Sequence, residues 1–447
     1  MTKPHLLMTA WAFAPARTSG VYRAIGIANT FAAQGWDVTV LTASEETFSV
    51  EGATDVSLSA HVRSDIEVVR VPFASGVYSA DVVRWSAARA RHPELWSMTH
   101  GCAFPEIGFG DWRPILTRAA ERQHVSRPVD LTLGTASPSV DFIPGWRLKR
   151  RFGVPYILDY RDAWTIDVFT GARSARTTGR AERWERRLVA AADQIWFVNE
   201  PIRGWHAAKY PSAAGRMRVV PNGFDLIEGV SPAVKWRPLA PDKPLTFGYI
   251  GTINQGQFPA EQLLAGWQRA RELSPAMRSA RMILRGHLGR TGVAGEKLSA
   301  FLERAAAVGI RYEGPVAKAE VASIYAEFDA LVLALASGPG VTSGKVFEFA
   351  ATGLPVVSVH EPDSAASAVM SGSPVWTPSA SMHPDDIAAA FLSTVERVRQ
   401  QTPASRASAI AWGAQWERGR QLESGVVGAR ALLGYDRQVS QPVREDL

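Results

Sequence analysis

The sequence contains a single cysteine, Cys102, among its 447 residues. One thiol cannot form an internal disulfide or supply the thiolates of a structural zinc site. The nine histidines include no His-x-x-x-His pair, and no Gly-x-Ser-x-Gly nucleophile motif occurs. We therefore expect neither a disulfide scaffold nor a metal or serine hydrolase, and we expect no metal cofactor.

Long apolar runs are also absent, since no stretch of about 18 apolar residues occurs. The apolar segment 6–14 is too short to span a bilayer, and it follows only one cation, Lys3, and runs into Pro15. We therefore expect a cytoplasmic protein that is at most peripheral on the cytoplasmic face of the membrane.

Charge is unevenly distributed along the chain. The formal net charge is +6, but residues 101–300 carry +11 and the remainder carries −5. Within the basic part, 146–151 and 180–187 combine arginine with tryptophan, a pattern that can bind anionic lipid. A solvated helix face that includes Glu182 and Glu185 is an equally good interpretation of the second segment. No nucleic-acid-binding module is recognisable, so we expect no nucleic-acid partner.

Short apolar runs alternate with longer segments of helical periodicity, which is typical of an α/β fold with parallel sheets. Strands are predicted at 5–10, 37–43, 66–71, 131–136, 156–160, 194–199, 217–221, 245–251, 281–286, 310–313, 330–335 and 355–359. Helices are predicted at 21–34, 140–151, 179–192, 260–272, 296–308, 318–328 and 344–351, and the chain beyond 385 also has a helical pattern.

Four prolines interrupt this alternation before it restarts at residue 245. We predict a Rossmann-like domain over 1–226, a linker over 227–244, a second Rossmann-like domain over 245–425, and a terminal helix and tail over 426–447 that cross back to the first domain. Open α/β sheets bind ligands at the carboxyl ends of their strands, so the expected binding site is an interdomain cleft.

The most informative segment is 338–357, in which a glycine-rich loop precedes a predicted helix. The unpaired amides near Thr342, Ser343 and Gly344 would converge on an anion, and Lys345 adds a full positive charge in the first turn. These groups could hold a diphosphate without a metal, while Glu348 could accept hydrogen bonds from sugar hydroxyls. A Walker A loop does not fit, because Pro339 replaces its glycine and Val346 replaces its Ser or Thr.

This segment resembles the donor-binding motif of glycosyltransferase family 4, whose consensus is Lys, two residues, Glu, four residues, Gly, one residue, Pro. Further matching segments follow in order along the chain: 19–20, 155–164, 220–225, 247–251, 284–286 and 312–316. The resemblance implies the GT-B fold, in which two Rossmann-like domains face a cleft. It also implies a retaining, metal-independent enzyme that uses a nucleotide sugar.

Several site roles follow from the resemblance alone. Thr342 to Lys345 would hold the diphosphate, Glu348 the ribose, and the backbone near Val316 the base. Gly20, from the other domain, would close over the phosphates, although a turn glycine between strand and helix is an equal interpretation.

Three departures from the family pattern stand out. Gly340 occupies the position of a carboxylate that usually contacts the donor sugar. The basic pair expected after 247–251 is missing, and Arg285 or Arg290 could replace it. Arg161 stands where many members have histidine, and Asp162 follows it. We expect Asp162 to orient the acceptor hydroxyl or bind the donor sugar, and Arg161 to pair with phosphate or with Asp162 itself.

The resulting hypothesis is a glycosyltransferase that moves a sugar from a nucleoside diphosphate to an acceptor hydroxyl in cell-surface glycan, glycolipid or natural-product biosynthesis. The acceptor, a lipid-linked glycan or a small molecule, would bind the amino-terminal domain. Two alternatives remain open: a nucleotide-sugar epimerase with the same fold, and a binding or scaffold protein whose donor site has degenerated at Gly340.

Overall fold

The structure is a computed structural model. It describes residues 3–49, 54–73, 86–93, 95, 104–106, 108–110, 112–175, 177–226, 231–240, 243–254, 256–289, 295–317 and 320–434. Cys102 and Arg290 lie outside the described residues.

The chain divides into two compact units. Unit 1 comprises Met1–Pro221 and Arg418–Leu447, and unit 2 comprises Asn222–Glu417. The chain thus returns to unit 1 at Arg418, whereas the sequence analysis placed the return at residue 426. The reason is that the whole helix Arg418–Ala431 packs on the helix Val21–Ala33, where a side chain at Gly26 would overlap Arg418.

Unit 1 is built on seven parallel strands in the order β3-β2-β1-β4-β5-β6-β7. The strands are β1 His5–Thr9, β2 Asp37–Ala43, β3 Ile66–Val71, β4 Leu131–Ala136, β5 Tyr156–Tyr160, β6 Gln194–Phe197 and β7 Met217–Val219. Residues of β1, β4, β5 and β6 are buried throughout, as expected for parallel strands covered by helices on both faces.

The helices of unit 1 cover this sheet. They are Val21–Ala33, Glu46–Ser49, Ala87–Arg91, Trp112–Ser126, Ile143–Phe152, Gly179–Ala191, Glu200–Lys209 and Arg418–Ala431, with 3-10 turns at Val56–His61, Ser139–Phe142 and Pro211–Arg216. The predicted helix 140–151 is therefore a 3-10 turn followed by an α-helix. The helices Trp112–Ser126 and Glu200–Lys209 were not predicted.

Unit 2 repeats the architecture with six parallel strands in the order β10-β9-β8-β11-β12-β13. The strands are β8 Thr246–Ile250, β9 Arg281–Arg285, β10 Ile310–Tyr312, β11 Ala330–Ala334, β12 Val356–Val359 and β13 Trp376–Thr377. The last of these was not predicted, because two residues carry no detectable periodicity.

The helices of unit 2 are Ala260–Leu273, Pro275–Ser279, Glu296–Ala306, Val321–Tyr325, Gly344–Thr352, Ala365–Met370, Pro384–Gln400 and Pro403–Gly413, followed by a 3-10 turn at Ala414–Trp416. Within the predicted linker, the described residues 231–240 form neither helix nor strand and belong to unit 2. The amide of Val234 donates to the carbonyl of Thr352.

In both sheets the strand order reverses beside the first strand, between β1 and β4 and between β8 and β11. The loops that leave these strands in opposite directions open a crevice at their carboxyl ends, where ligands of open α/β sheets bind. The predicted α/β class with two Rossmann-like parallel sheets is thus confirmed. The two switch points are the expected ligand-binding sites. Among the described residues, no helix is long and apolar enough to cross a membrane.

Candidate functional site

The switch point of unit 2 contains Lys345, in the first turn of the helix Gly344–Thr352. Its ammonium donates a hydrogen bond to the Tyr249 hydroxyl at the end of β8 and lies 4.3 Å from the centre of that ring. Tyr249 in turn donates to the carbonyl of Thr252 at 2.9 Å. Gly251 has φ +155°, and a Cβ there would overlap the Lys345 ammonium. The backbone after β8 is therefore shaped to admit this lysine.

Lys345 is half-buried, and its ammonium forms no salt bridge with any described residue. Burial lowers the pKa of its ammonium to about 7, and the nearby Glu348 carboxylate opposes this shift only in part. A desolvated ammonium is stabilised most strongly by an anion, so the position favours a negatively charged ligand.

Glu348 lies one helical turn beyond Lys345 and is held by Tyr325. Tyr325 is fully buried, and its hydroxyl donates to a Glu348 carboxylate oxygen at 3.0 Å. Burial, and secondly this carboxylate, raise the pKa of the tyrosine. Tyr325 therefore fixes the carboxylate in the partly exposed position where a hydroxylated ligand could reach it.

Thr342 and Ser343 immediately precede this helix, and Gly344 is its first residue. Ser343 is the N-cap residue, with φ −68° and ψ 134°, and its side chain makes no capping hydrogen bond. First-turn amides have no carbonyl partner within their own helix. These amides and the Lys345 ammonium are therefore donors on one short segment at the end of the sheet.

Arg285 is committed elsewhere in unit 2. At the end of β9 it donates to the carbonyl of Glu313 at 2.7 Å and pairs with the Glu313 carboxylate at 3.3 Å. Val316, three residues further on, is partly buried against the apolar cluster around Phe347. Two of the three guanidinium nitrogens of Arg285 are therefore engaged by Glu313, and its role in place of the missing basic pair stays a prediction.

The candidate residues of unit 1 lie together after β1 and β5. One guanidinium nitrogen of Arg161 donates to the Ser19 hydroxyl at 3.0 Å, and another lies 3.1 Å from the Asp162 carboxylate. Gly20 has φ −76°, which any residue adopts, so its backbone conformation does not require glycine. A Cβ at Gly20 would lie 3.0 Å from the Arg161 guanidinium, a flexible neighbour that can move aside.

Beneath these residues, Arg23 and Asp159 form a fully buried ion pair at 2.6 Å. Arg23 also donates to the carbonyls of Val220 and Pro221, and Asp159 accepts from the Thr135 hydroxyl at 2.7 Å. This network ties the helix Val21–Ala33 to the end of β5, just before Arg161. Strand periodicity indicates a structural role for Asp159 but does not identify Arg23 as its partner.

The basic helices of unit 1 have internal partners. Arg147 and Arg151 pair with Glu121, Lys149 pairs with Asp193, and the Arg150 guanidinium lies 4.8 Å from the Trp146 ring centre. In the second segment, Glu185 is not solvated: it is fully buried and accepts from Tyr210 at 2.6 Å and Lys209 at 3.1 Å. The interpretation of both acids there as members of a solvated face is therefore wrong for Glu185.

No cluster of three or more histidine, cysteine, aspartate or glutamate side chains suited to a metal ion occurs in the part of the chain that the structure describes. The described residues at the two switch points are instead Lys345 with Glu348 in unit 2 and Arg161 with Asp162 in unit 1, together with backbone amides.

A family model for glycosyl transferase 4-like domains matches residues 21–223. The chain resembles glycosyltransferase family 4, as its motifs indicated, and its fold is GT-B. No curated protein sequence matches the chain at a significant level.

Solved structures of the same fold cover almost the whole chain at low identity. HepE of Anabaena, solved with UDP and glucose, is 14% identical with a TM-score of 0.60, over 95% of this chain and 99% of its own. The UDP-forming α,α-trehalose-phosphate synthase of Burkholderia vietnamiensis is 13% identical with a TM-score of 0.58, over 96% and 100%. A protein assigned as a UDP-N-acetylglucosamine 2-epimerase from Listeria monocytogenes is 10% identical with a TM-score of 0.52, over 98% of both chains. These similarities establish the fold but not the reaction, which is inferred below from the residues of the site.

Proposed function

We propose that this glycosyl transferase 4-like chain transfers a sugar from a nucleoside diphosphate sugar to an acceptor hydroxyl, with retention of configuration and without a metal ion. Unit 2 takes the donor and unit 1 takes the acceptor, a hydroxyl of a glycan, a glycolipid or a natural product. HepE was solved with UDP, and the trehalose-phosphate synthase is UDP-forming, so a uridine nucleotide is the first donor to test.

The observation that carries the proposal is the desolvated ammonium of the half-buried Lys345, whose pKa is lowered to about 7, at the start of the helix Gly344–Thr352. A diphosphate would stabilise the protonated form of Lys345 and accept hydrogen bonds from the neighbouring amides. Each charge-assisted hydrogen bond contributes about 1.5–3 kcal/mol, and the helix dipole adds about 0.3–1 kcal/mol. Together these donors can balance the charge of the diphosphate without a divalent cation.

The same groups suit the chemistry of transfer. As the bond to the sugar breaks, negative charge grows on the leaving diphosphate, and donors fixed by the fold stabilise that charge more than the ground state. Glu348 binds the ribose hydroxyls, and Asp162, held by Arg161, orients the acceptor hydroxyl. The departing phosphate oxygen takes the acceptor proton, so the mechanism needs no separate base.

The proposal is tested by calorimetric titration of the full chain with UDP, GDP, ADP and their glucose conjugates. We expect one nucleotide to bind in the micromolar range, and failure of all of them to bind would overturn the proposal. NMR of the bound nucleotide sugar in the absence of an acceptor separates the enzyme classes. Slow release of free sugar fits a transferase, whereas accumulation of an epimeric nucleotide sugar would identify an epimerase and contradict transfer.

Replacing Glu348 with glutamine is expected to weaken nucleotide affinity about tenfold, because a neutral amide accepts more weakly from ribose hydroxyls than a carboxylate does. Tyr325→Phe should give a smaller loss, since it removes only the hydroxyl that positions Glu348. The measurement is calorimetric titration with the nucleotide that the wild type binds. Glu303→Gln, an exposed glutamate of unit 2, is the matched control. Unchanged affinity in Glu348→Gln would remove Glu348 from the site.

Nucleotide affinity is expected to fall as the pH rises above about 7. Free Lys345 has a lowered pKa of about 7, so it loses its proton above that pH, while the diphosphate binds the protonated form. Affinity should fall about tenfold per pH unit between about pH 7 and 9, and binding should take up a proton. Calorimetry in buffers of different ionisation enthalpy measures both effects. Lys345→Arg, which keeps its charge throughout, should give a flat profile, and a flat wild-type profile would contradict the lysine assignment.

A further inference from the structure

A pocket of about 260 Å³ lies in unit 2 at the amino ends of its strands. Asp329, which lines it, immediately precedes β11, and Leu354, which also lines it, precedes β12. Residues 234–240 form much of the remaining wall. Lys345 lies beyond the carboxyl end of β11, and the five residues of that strand extend about 16 Å. The pocket is therefore separate from the candidate donor site.

The lining of this pocket, called the basic pocket below, has a large excess of positive charge. Asp329 is the one acid among the described lining residues, and the cations are Lys235, Arg237, Lys243, Arg399 and Arg406. Arg237 lies 3.3 Å from the Asp329 carboxylate, and Arg399 pairs with Glu396 at 3.2 Å. No described carboxylate pairs with the other three cations, Lys235, Lys243 and Arg406. Three positive charges thus remain in one concave place.

Arg406 is the most buried of these cations, with 7% of its surface exposed. Its guanidinium donates to the Gln401 side-chain oxygen at 2.9 Å and to the carbonyl of Val234 at 3.1 Å, and both acceptors are neutral. Burial, and secondly the nearby Arg237 cation, lower its pKa to about 10. The fully buried Arg23 of unit 1, in contrast, has the Asp159 carboxylate at 2.6 Å. An anion in the basic pocket would supply the missing negative charge.

Trp236 gives the basic pocket an apolar wall, together with Phe328, Leu239 and Val398. Its Nε1 donates to the carbonyl of Gln401 at 3.1 Å, which fixes the ring, and 36% of the residue is exposed. A fixed aromatic ring beside a group of cations suits a ligand that carries an organic part as well as an anion. Ligand pockets usually measure about 300–1,000 Å³, so this one predicts a small ligand.

We propose that the basic pocket is a binding site for a small phosphate monoester, whose phosphate meets the cations and whose organic part lies against the Trp236 ring. A phosphate monoester carries a charge of about −1.5 to −2 near pH 7, which balances the excess better than a single carboxylate does. Guanidinium groups also match the oxygens of phosphate in geometry. The site does not depend on the proposed transfer reaction. Neither the motif resemblance nor the likeness to solved structures assigns a role to its residues.

The test uses the full chain labelled with 5-fluorotryptophan and followed by 19F NMR, with the Trp236 signal assigned by Trp236→Phe. The probes are glucose 6-phosphate and UMP, with inorganic phosphate and methyl α-D-glucopyranoside as comparisons. At least one ester should shift the Trp236 signal saturably and bind more tightly than inorganic phosphate, and the neutral glucoside should cause no shift. Binding should weaken as the ionic strength rises, because the main contacts join opposite charges.

The cations are tested at exposed positions, because a change at the buried Arg406 would also remove hydrogen bonds of the fold. Arg237→Gln should weaken ester binding about tenfold, since it removes a cation and leaves the Asp329 carboxylate without its partner. Lys243→Gln should weaken it about threefold. Arg304→Gln, which changes an exposed arginine elsewhere in unit 2, is the matched control and should leave the affinity unchanged.

The inference would be overturned if neither ester shifted the Trp236 signal, or if inorganic phosphate or the neutral glucoside bound as tightly as the esters. Unchanged affinity in both Arg237→Gln and Lys243→Gln would also overturn it. Lys345→Ala should weaken UDP binding but leave the Trp236 response to the esters unchanged. Loss of both would make the esters ligands of the donor site and contradict a separate pocket. If UDP fails to bind the wild type, the donor proposal fails, while the Trp236 titration still decides this one.

Discussion

Replacing Lys345 with alanine is expected to weaken nucleotide affinity about 100-fold, the largest loss from any single substitution in unit 2. The change removes the Lys345 ammonium from the switch point of that sheet, together with its hydrogen bond to Tyr249. The helix amides remain, but the helix dipole alone is worth less than about 1 kcal/mol. Calorimetric titration with the nucleotide that the wild type binds gives the ratio directly.

The control for this experiment is the thermal stability of the Lys345 variant. Folding lowers the pKa of Lys345, so the folded state disfavours its charged form, and removal of the charge should not reduce thermal stability. Lys345→Met keeps the aliphatic stem and should lose affinity as alanine does. Lys235→Ala, an exposed lysine of unit 2, should lose none. A Lys345 variant that binds normally, or that loses affinity only because it unfolds, would contradict the role assigned here.

Most of the sheet architecture could be predicted from the sequence, because parallel strands buried on both faces are short apolar runs. β2, β3, β4 and β5 have the predicted bounds, and the other predicted strands differ at their ends by one or two residues. The helix Trp112–Ser126 was missed because it carries Pro114 near its start and only three buried residues. Its weak periodicity does not distinguish it from a loop.

The site could be predicted only where its residues are adjacent in the sequence. Lys345 and Glu348 lie one turn apart on one helix, so their spacing carries a signal. Tyr249 and Tyr325, which hold them, come from distant segments and look like ordinary core aromatics until the sheet brings them together.

The second large effect concerns Arg23 and Asp159, and it is an effect on stability. Arg23→Met should lower the free energy of unfolding of unit 1 by about 3–5 kcal/mol, because it leaves the Asp159 carboxylate buried without its cation. At about 2–4 °C per kcal/mol for a domain of this size, the melting temperature should fall by about 10 °C. Scanning calorimetry of the full chain measures this shift.

The origin of the loss is tested by removing the second charge as well. Arg23→Met/Asp159→Leu should recover much of the stability, since a buried ion pair is generally worth little more than apolar side chains of the same size. Arg304→Met breaks the exposed pair with Glu261 and should cost less than about 1 kcal/mol. If Arg23→Met were no worse than Arg304→Met, or the double variant no better than the single one, the pair would not be the element that fixes β5 beneath Arg161. The expected order of stabilities would instead show that the loss comes from the unpaired Asp159 carboxylate. The ion pair would then hold the end of β5, just before Arg161 and Asp162, to the helix Val21–Ala33.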